Sequence, residues 1–129
     1  MAYIYKNPNP KRESLTDCVI RAISIVLNAD WDYVYDKLCQ TGYFLKDMPS
    51  TNHVWDAYLK DIGFNRYAIP NTCPLCYTVS DFTNDHPYGR YILATGSHAI
   101  AVINGDYYDT SDSGLEVPLY YYENKNINI

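Results

Sequence analysis

Apolar residues in the first half of the chain recur at helical spacing. Val19, Ala22, Ile23, Val26 and Leu27 follow i, i+3, i+4, i+7 and i+8, and Ile20 and Ile25 widen the stripe. A helix buried on most sides is therefore predicted to start at Thr16–Cys18, after the cap-forming run Ser14-Leu15-Thr16-Asp17. A second helix fits Asp30–Cys39, with Trp31, Val34, Tyr35 and Leu38 on one face and Gly42 just beyond its end. A third begins at Ser50-Thr51-Asn52, carries Val54, Trp55, Tyr58, Leu59 and Ile62, and stops at Gly63. Trp31 and Trp55 read as core residues, and Cys39 as packing at a helix end.

From Phe64 the period changes. Residues 66–70, 75–80, 91–94, 98–103, 106–110 and 115–122 are short, β-branched or aromatic, and separated by Pro, Gly, Asn and Asp, as strands are. Asn104-Gly105, between AIAVI and DYYDT, is a strong hairpin signal, because a two-residue turn of that type needs positive φ at both positions. Three helices followed by an antiparallel sheet make an α+β pattern. The expectation is a single domain over residues 1–129: a lead-in loop at 1–13, a helical part at 14–63, a sheet part at 64–123 and a tail at 124–129. Within the lead-in, KNPNPKRE suits neither a helix nor a central strand, since its prolines and asparagines break both.

Composition narrows the function classes. With 47% hydrophobic residues the chain can bury a core without disulfides or metal. The longest apolar run, Val19–Leu27, is interrupted by Arg21 and Ser24 and falls far short of the roughly 18–20 residues of a membrane span. MAYIYKNPNPKR has no secretory apolar stretch, so a soluble cytoplasmic protein with no membrane partner is expected. A net charge of −5, with the basic residues scattered, argues against nucleic acid as a partner. Cys18, Cys39, Cys73 and Cys76 then read as reduced thiols rather than a disulfide framework.

Two of the polar residues carry chemistry together. Cys18 stands at the start of a buried helix, where free backbone N–H groups and the positive dipole end favour a thiolate. His98 opens HAIAVI, a strand apolar on both faces, where an imidazole must find a partner. If Asn104-Gly105 is a two-residue turn, Ile103 faces Asp106, Ile100 faces Asp109 and His98 faces Ser111. His98, Ile100, Tyr107, Asp109 and Ser111 then share one face. Asp109 is the diagonal neighbour of His98 and its expected orienting acid; Asp112 takes that place if a bulge shifts the register by one. A nucleophile at a helix start and a histidine held by a carboxylate form the Cys–His–Asp arrangement of covalent acyl transfer.

In that order, DCVIRAIS, DWDYVYDKL, VWDAYLKDIGF and HAIAVINGDYYDTSD resemble the papain-like cysteine hydrolases. The likeness is to small phage and bacterial members with a D-C-x-x-R-A signature, and it covers roughly residues 14–115. The resemblance implies a papain-like fold with the Cys-bearing helix packed on the sheet, and a thiol-dependent hydrolase acting without a cofactor on a peptide or protein substrate. For a phage protein the compartment implied is the bacterial host's cytoplasm. Papain-like enzymes place a glutamine or similar donor before the cysteine to complete the oxyanion hole. Here the only glutamine is Gln40; Asn7, Asn9, Ser14 and Thr16 are the upstream donors, and reach favours Asn9. Asp17, beside Cys18, opposes ionisation of the thiol unless it points away.

Other readings compete. Cys73-Pro74-Leu75-Cys76 with His86 offers three zinc ligands, a fourth coming from Asp81, Asp85 or a distant residue, and would make a small zinc-binding interaction domain. The same C-x-x-C spacing suits disulfide exchange, but no thioredoxin-like βαβ pattern surrounds it. The loop DFTNDHPYGR lies where it could line a cleft beside His98, with Asp81 and Asp85 selecting a basic substrate. A papain-fold binding module without catalysis, such as a phage-encoded inhibitor of a host protein, is the rival to the enzyme.

Overall fold

Helical spacing and structure agree over the first half of the chain. The computed structural model describes residues 2–12 and 16–127; Ser14 and Leu15 of the expected cap run, and the last two residues of the tail, lie outside them. Helix α1 (Cys18–Leu27) buries Ile20, Ala22, Ile23, Ile25 and Val26 and ends at Asn28, whose φ of 53° is the left-handed conformation asparagine tolerates. Helices α2 (Trp31–Leu45) and α3 (Asn52–Asp61) pack on each other, and α2 also packs on α1. Each fully buried Ile, Leu or Val here contributes roughly 1.5–3 kcal/mol.

Helix α2 runs past its expected end at Cys39 and straight through Gly42, to a left-handed cap at Lys46. Gly42 is there for space: a Cβ at that position would stand 2.6 Å from the carbonyl oxygen of Asp47, where the chain turns back toward α3.

The sheet has six strands: β1 (Tyr3–Tyr5), β2 (Asn65–Ala68), β3 (Arg90–Ala94), β4 (Ala99–Ile103), β5 (Asp106–Asp109) and β6 (Tyr120–Glu123), in the spatial order β1-β5-β4-β3-β6-β2. Four of its pairings are antiparallel, but β1 pairs parallel to β5, so the sheet is mixed rather than antiparallel. That strand lies inside the expected lead-in loop. Asn104 and Gly105, with φ of 50° and 82°, form the β4–β5 turn, and the register is Ile103↔Asp106, Val102↔Tyr107 and Ala101↔Tyr108. The described part of the tail holds a 3-10 turn at Lys125–Ile127.

One expected strand is not there and another is cut short. Over 75–80 the chain leads into helix α4 (Val79–Asp85), because Thr78 and Asp81 form a capping box and Val79, Phe82 and Thr83 bury one helical face. Of 115–122 only the end enters the sheet: residues around Gly114–Glu116 turn, and Pro118 has no N–H to give a ladder. Strand alternation sends Ala99 and Ala101 under α1, in a core shared with Val34, Leu38, Trp55 and Leu59. It sends Ile100, Val102 and Tyr107 to the opposite face, against Val79 and Phe82 of α4. Among the described residues no helix is long and apolar enough to cross a membrane.

Candidate active site

The first residue of α1 faces the open ends of β4 and β5. Cys18 begins the helix, and the first backbone bond onto it, Arg21 N–H to the Asp17 carbonyl, leaves its own N–H outside the helical ladder. His98 closes the turn from β3 to β4, where the Thr95 N–H donates to its carbonyl at 2.8 Å. Asp109 ends β5. Both therefore stand at strand ends beside α1.

The three side chains meet. His98 Nε2 lies 2.6 Å from Asp109 Oδ2, and with that nitrogen engaged Nδ1 is the one left for the Cys18 thiol, to which His98 is hydrogen-bonded. The Asp109 side chain is 2% exposed; its Oδ1 accepts from the Thr110 N–H at 2.7 Å. Burial alone pushes the Cys18 thiol up, but the hydrogen bonds from His98 and the Ala99 N–H, and the charges of His98 and Arg21, outweigh it and the thiol is lowered. His98 is pushed up to about 10, first by its bond to Asp109 and then by Cys18, against the opposing effect of burial. Burial likewise raises Asp109, and its bonds to His98 and Thr110 bring it below the usual carboxylate value. The opposed shifts of Cys18 and His98 favour a thiolate–imidazolium pair.

Arg21 stands behind this row. It is a 6% exposed arginine in the middle of an apolar helix; its guanidinium contacts Asp17 and lies 3.9 Å from Asp109 Oδ1. Asp17, the N-cap residue, does not cap the helix with its side chain. Its carboxylate takes hydrogen bonds from Arg21, from Asn9 Nδ2 at 2.9 Å and from Trp31 Nε1 at 3.0 Å. So the acid next to Cys18 is neutralised away from the thiol, which answers the objection that it would hold the proton there.

Asn9, the expected oxyanion donor, is spent on this support. Its Nδ2 serves Asp17, its oxygen accepts from the Lys11 N–H at 2.9 Å, and it does not line the cleft at Cys18. Ser14 lies outside the described residues. Other donors do line that cleft of about 480 Å³, among them Thr16, just before Cys18, and Asn52 at the start of α3. Asn52 Oδ1 already accepts from Trp55 Nε1 at 3.0 Å, which leaves its amide nitrogen uncommitted among the described residues.

The remaining candidates go elsewhere. Asp112 accepts from the Tyr107 hydroxyl at 2.6 Å and the Gly114 N–H at 3.0 Å, so it shapes the turn after β5 and does not reach His98. His86 stacks on Phe82 with ring centroids 3.8 Å apart, and its Nδ1 meets the Phe82 carbonyl, away from both the cleft and the cysteine pair. Asp81 belongs to the capping box and Asp85 accepts from the Tyr77 hydroxyl. Among the described residues no three His, Cys, Asp or Glu side chains gather as metal ligands. Neither Arg21 nor Asn52 carries a site role on the sequence pattern, though Arg21 has a signal there. Its signal is an arginine interrupting an apolar stripe four residues after an aspartate.

No protein-family model matches this chain, nor does any curated protein or solved structure.

Proposed function

We propose that the chain is a thiol-dependent hydrolase of papain-like type, cleaving an amide, peptide or isopeptide bond through Cys18, His98 and Asp109. One observation carries the reading: a lowered thiol at a helix start, open to a cleft, is hydrogen-bonded to a histidine that a buried carboxylate holds at 2.6 Å. Buried aspartates or half-buried cysteines are commonplace singly; this chain of three has a directed proton path.

In the proposed reaction the Cys18 thiolate attacks the carbonyl carbon. The oxyanion is received by the Cys18 N–H and by a cleft donor, Thr16 or Asn52. The His98 imidazolium gives its proton to the leaving amine as the carbon–nitrogen bond breaks, and a thioester remains. Water then attacks the thioester with His98 taking its proton, which releases the acid and restores Cys18. Asp109 holds the imidazole in one orientation and stabilises its charged form. Since the fold hosts many chemistries, the class of bond rests on the site and not on the architecture.

The test is the pH dependence of Cys18 alkylation by iodoacetamide, read by peptide mass spectrometry, in the native chain and in His98→Ala. Selective reaction well below the pH of a free thiol, about 8.5, lost in His98→Ala, is the expected result. A Cys18 that reacts only after unfolding sinks the enzyme and leaves the non-catalytic binding module.

A further inference from the structure

The loop joining β2 to α4 carries two thiols that the Cys18 site does not use. Cys73 and Cys76 are both exposed, and their Sγ atoms are 3.0 Å apart. Bonds inside the loop hold them there. The Cys73 N–H donates to Asn71 Oδ1 at 3.0 Å; the Leu75 N–H donates to the Thr72 carbonyl at 2.9 Å; the Thr72 hydroxyl returns a bond to the Leu75 carbonyl. Just beyond, the Tyr77 hydroxyl is tied to Asp85, and the Thr78–Asp81 box starts α4. The pair is thus preset by its own turn and does not depend on a change elsewhere in the fold.

Closed zinc sites take four ligands, and among the described residues no third ligand joins these two sulfurs. Packing does not account for them either, since both face solvent. Two exposed thiols in contact carry a different chemistry. We propose that Cys73 and Cys76 form a redox site, a dithiol that a small-molecule disulfide of the glutathione class converts reversibly into an intramolecular disulfide.

The exchange balances in two displacements. A thiolate of the pair attacks one sulfur of oxidised glutathione, which breaks that disulfide, forms a mixed disulfide on the protein and releases one glutathione thiolate. The second cysteine of the pair, as its thiolate, attacks the protein-side sulfur of the mixed disulfide, closes the internal disulfide and expels the second glutathione. Two electrons and two protons pass from the protein to glutathione. Cys76 holds its proton more tightly because Cys73 is bonded beside it. With the sulfurs already in contact, the second step needs little rearrangement. Cys18 and Cys39 lack such a neighbour and can go no further than a mixed disulfide.

The experiment equilibrates the full chain, with a chelator present, against reduced and oxidised glutathione over a range of ratios. Samples are acid-quenched, blocked with N-ethylmaleimide and peptide-mapped. The expected result is a Cys73–Cys76 disulfide, lighter by two hydrogens, whose fraction follows oxidised glutathione over the square of reduced glutathione and falls to nothing when reduced glutathione is restored. Cys73→Ser and Cys76→Ser lose it and accumulate glutathione on the surviving thiol; Cys39→Ser keeps it. The proposal is overturned if both thiols remain blocked by maleimide at every ratio. It is equally overturned if the unmodified sequence stops at a mixed disulfide as the single variants do.

Discussion

Arg21→Met removes a guanidinium from between two buried carboxylates. The Arg21 side chain is 7% exposed, and those of Asp17 and Asp109 are 8% and 2% exposed. Across the 3.9 Å from Arg21 to Asp109, opposite unit charges attract by about 4 kcal/mol at an effective dielectric near 20. Removing one partner of a buried pair costs about 3–5 kcal/mol, because the other charge is left uncompensated. Methionine retains much of the volume and none of the charge, so the expected loss of about 3–5 kcal/mol is electrostatic and takes a large share of the ~5–15 kcal/mol typical of a domain. Urea unfolding followed by circular dichroism measures it, with the slope checked for an unchanged unfolded state.

A second arm separates charge from packing. Asn at position 17 keeps an oxygen for the bonds from Asn9 and Trp31, so Asp17→Asn combined with Arg21→Met is expected to lose less than the two single losses added. The expected coupling is about 1.5–3 kcal/mol, the upper range for contacting residues. Arg21 also helps lower the Cys18 thiol, so alkylation of Cys18 in folded Arg21→Met shifts to higher pH, which lost stability by itself would not cause. A loss below about 1 kcal/mol with additive singles, within the ~0.5 kcal/mol of independent sites, would refute the network.

Asp109→Asn removes the first cause of the raised His98 value; a charge-assisted bond of about 1.5–3 kcal/mol corresponds to ~1–2 pH units, and the Cys18 alkylation profile moves up by that amount, while Asp112→Asn leaves it in place. A shift in both, or in neither, places the acid elsewhere. The stability contribution of His98 is full below its usual 6.5 and is lost as pH rises through about 10; that of Cys18 is full above its usual 9.0 and is lost as pH falls through its lowered value. These slopes oppose each other below pH 9, so urea midpoints of the natural sequence hold level there and fall toward 10, whereas Cys18→Ala declines from about 6.5 upward; identical profiles would remove the ion pair from the account. Gly42→Ala forces a Cβ to within 2.6 Å of the Asp47 carbonyl and is expected to cost about 1–3 kcal/mol as overpacking, although alanine is the better helix former; a stabilised variant would show that the turn after α2 yields freely.

Features written in short-range spacing were legible. Three apolar stripes located α1, α2 and α3, and Asn104-Gly105 determined a register that brings His98 and Asp109 to one end of the sheet. Strand β1 was not legible, because three residues of Tyr-Ile-Tyr have no local partner and their ladder forms with β5, across more than a hundred positions. Residues 75–80 read as a strand on their β-branched and aromatic content. Val79, Phe82 and Thr83 satisfy the helical period equally, and the Thr78–Asp81 cap decides between them. The choice of Asn9 as a donor to substrate failed on a different ground: reach along the chain says nothing about which acceptor an amide meets first, and Asp17 is nearer.

β1 and Asn9 belong to one segment, and that segment bears on how the site is held. Apolar packing of α1 on β4 is strong but weakly directional, and by itself it leaves α1 free to slide relative to His98 and Asp109. The directional bonds come from the N-terminal segment that carries β1. At one end, β1 lies along β5, and the Lys6 N–H and the Tyr3 hydroxyl both donate to the Asp109 carbonyl, at 3.1 and 3.2 Å. At the other, Asn9 holds Asp17, the residue immediately before Cys18. Between them Arg21 reaches from α1 to both carboxylates. The segment therefore ties the strand of Asp109 to the start of the helix of Cys18, and these few polar contacts add to the core beneath them in fixing Cys18 against His98.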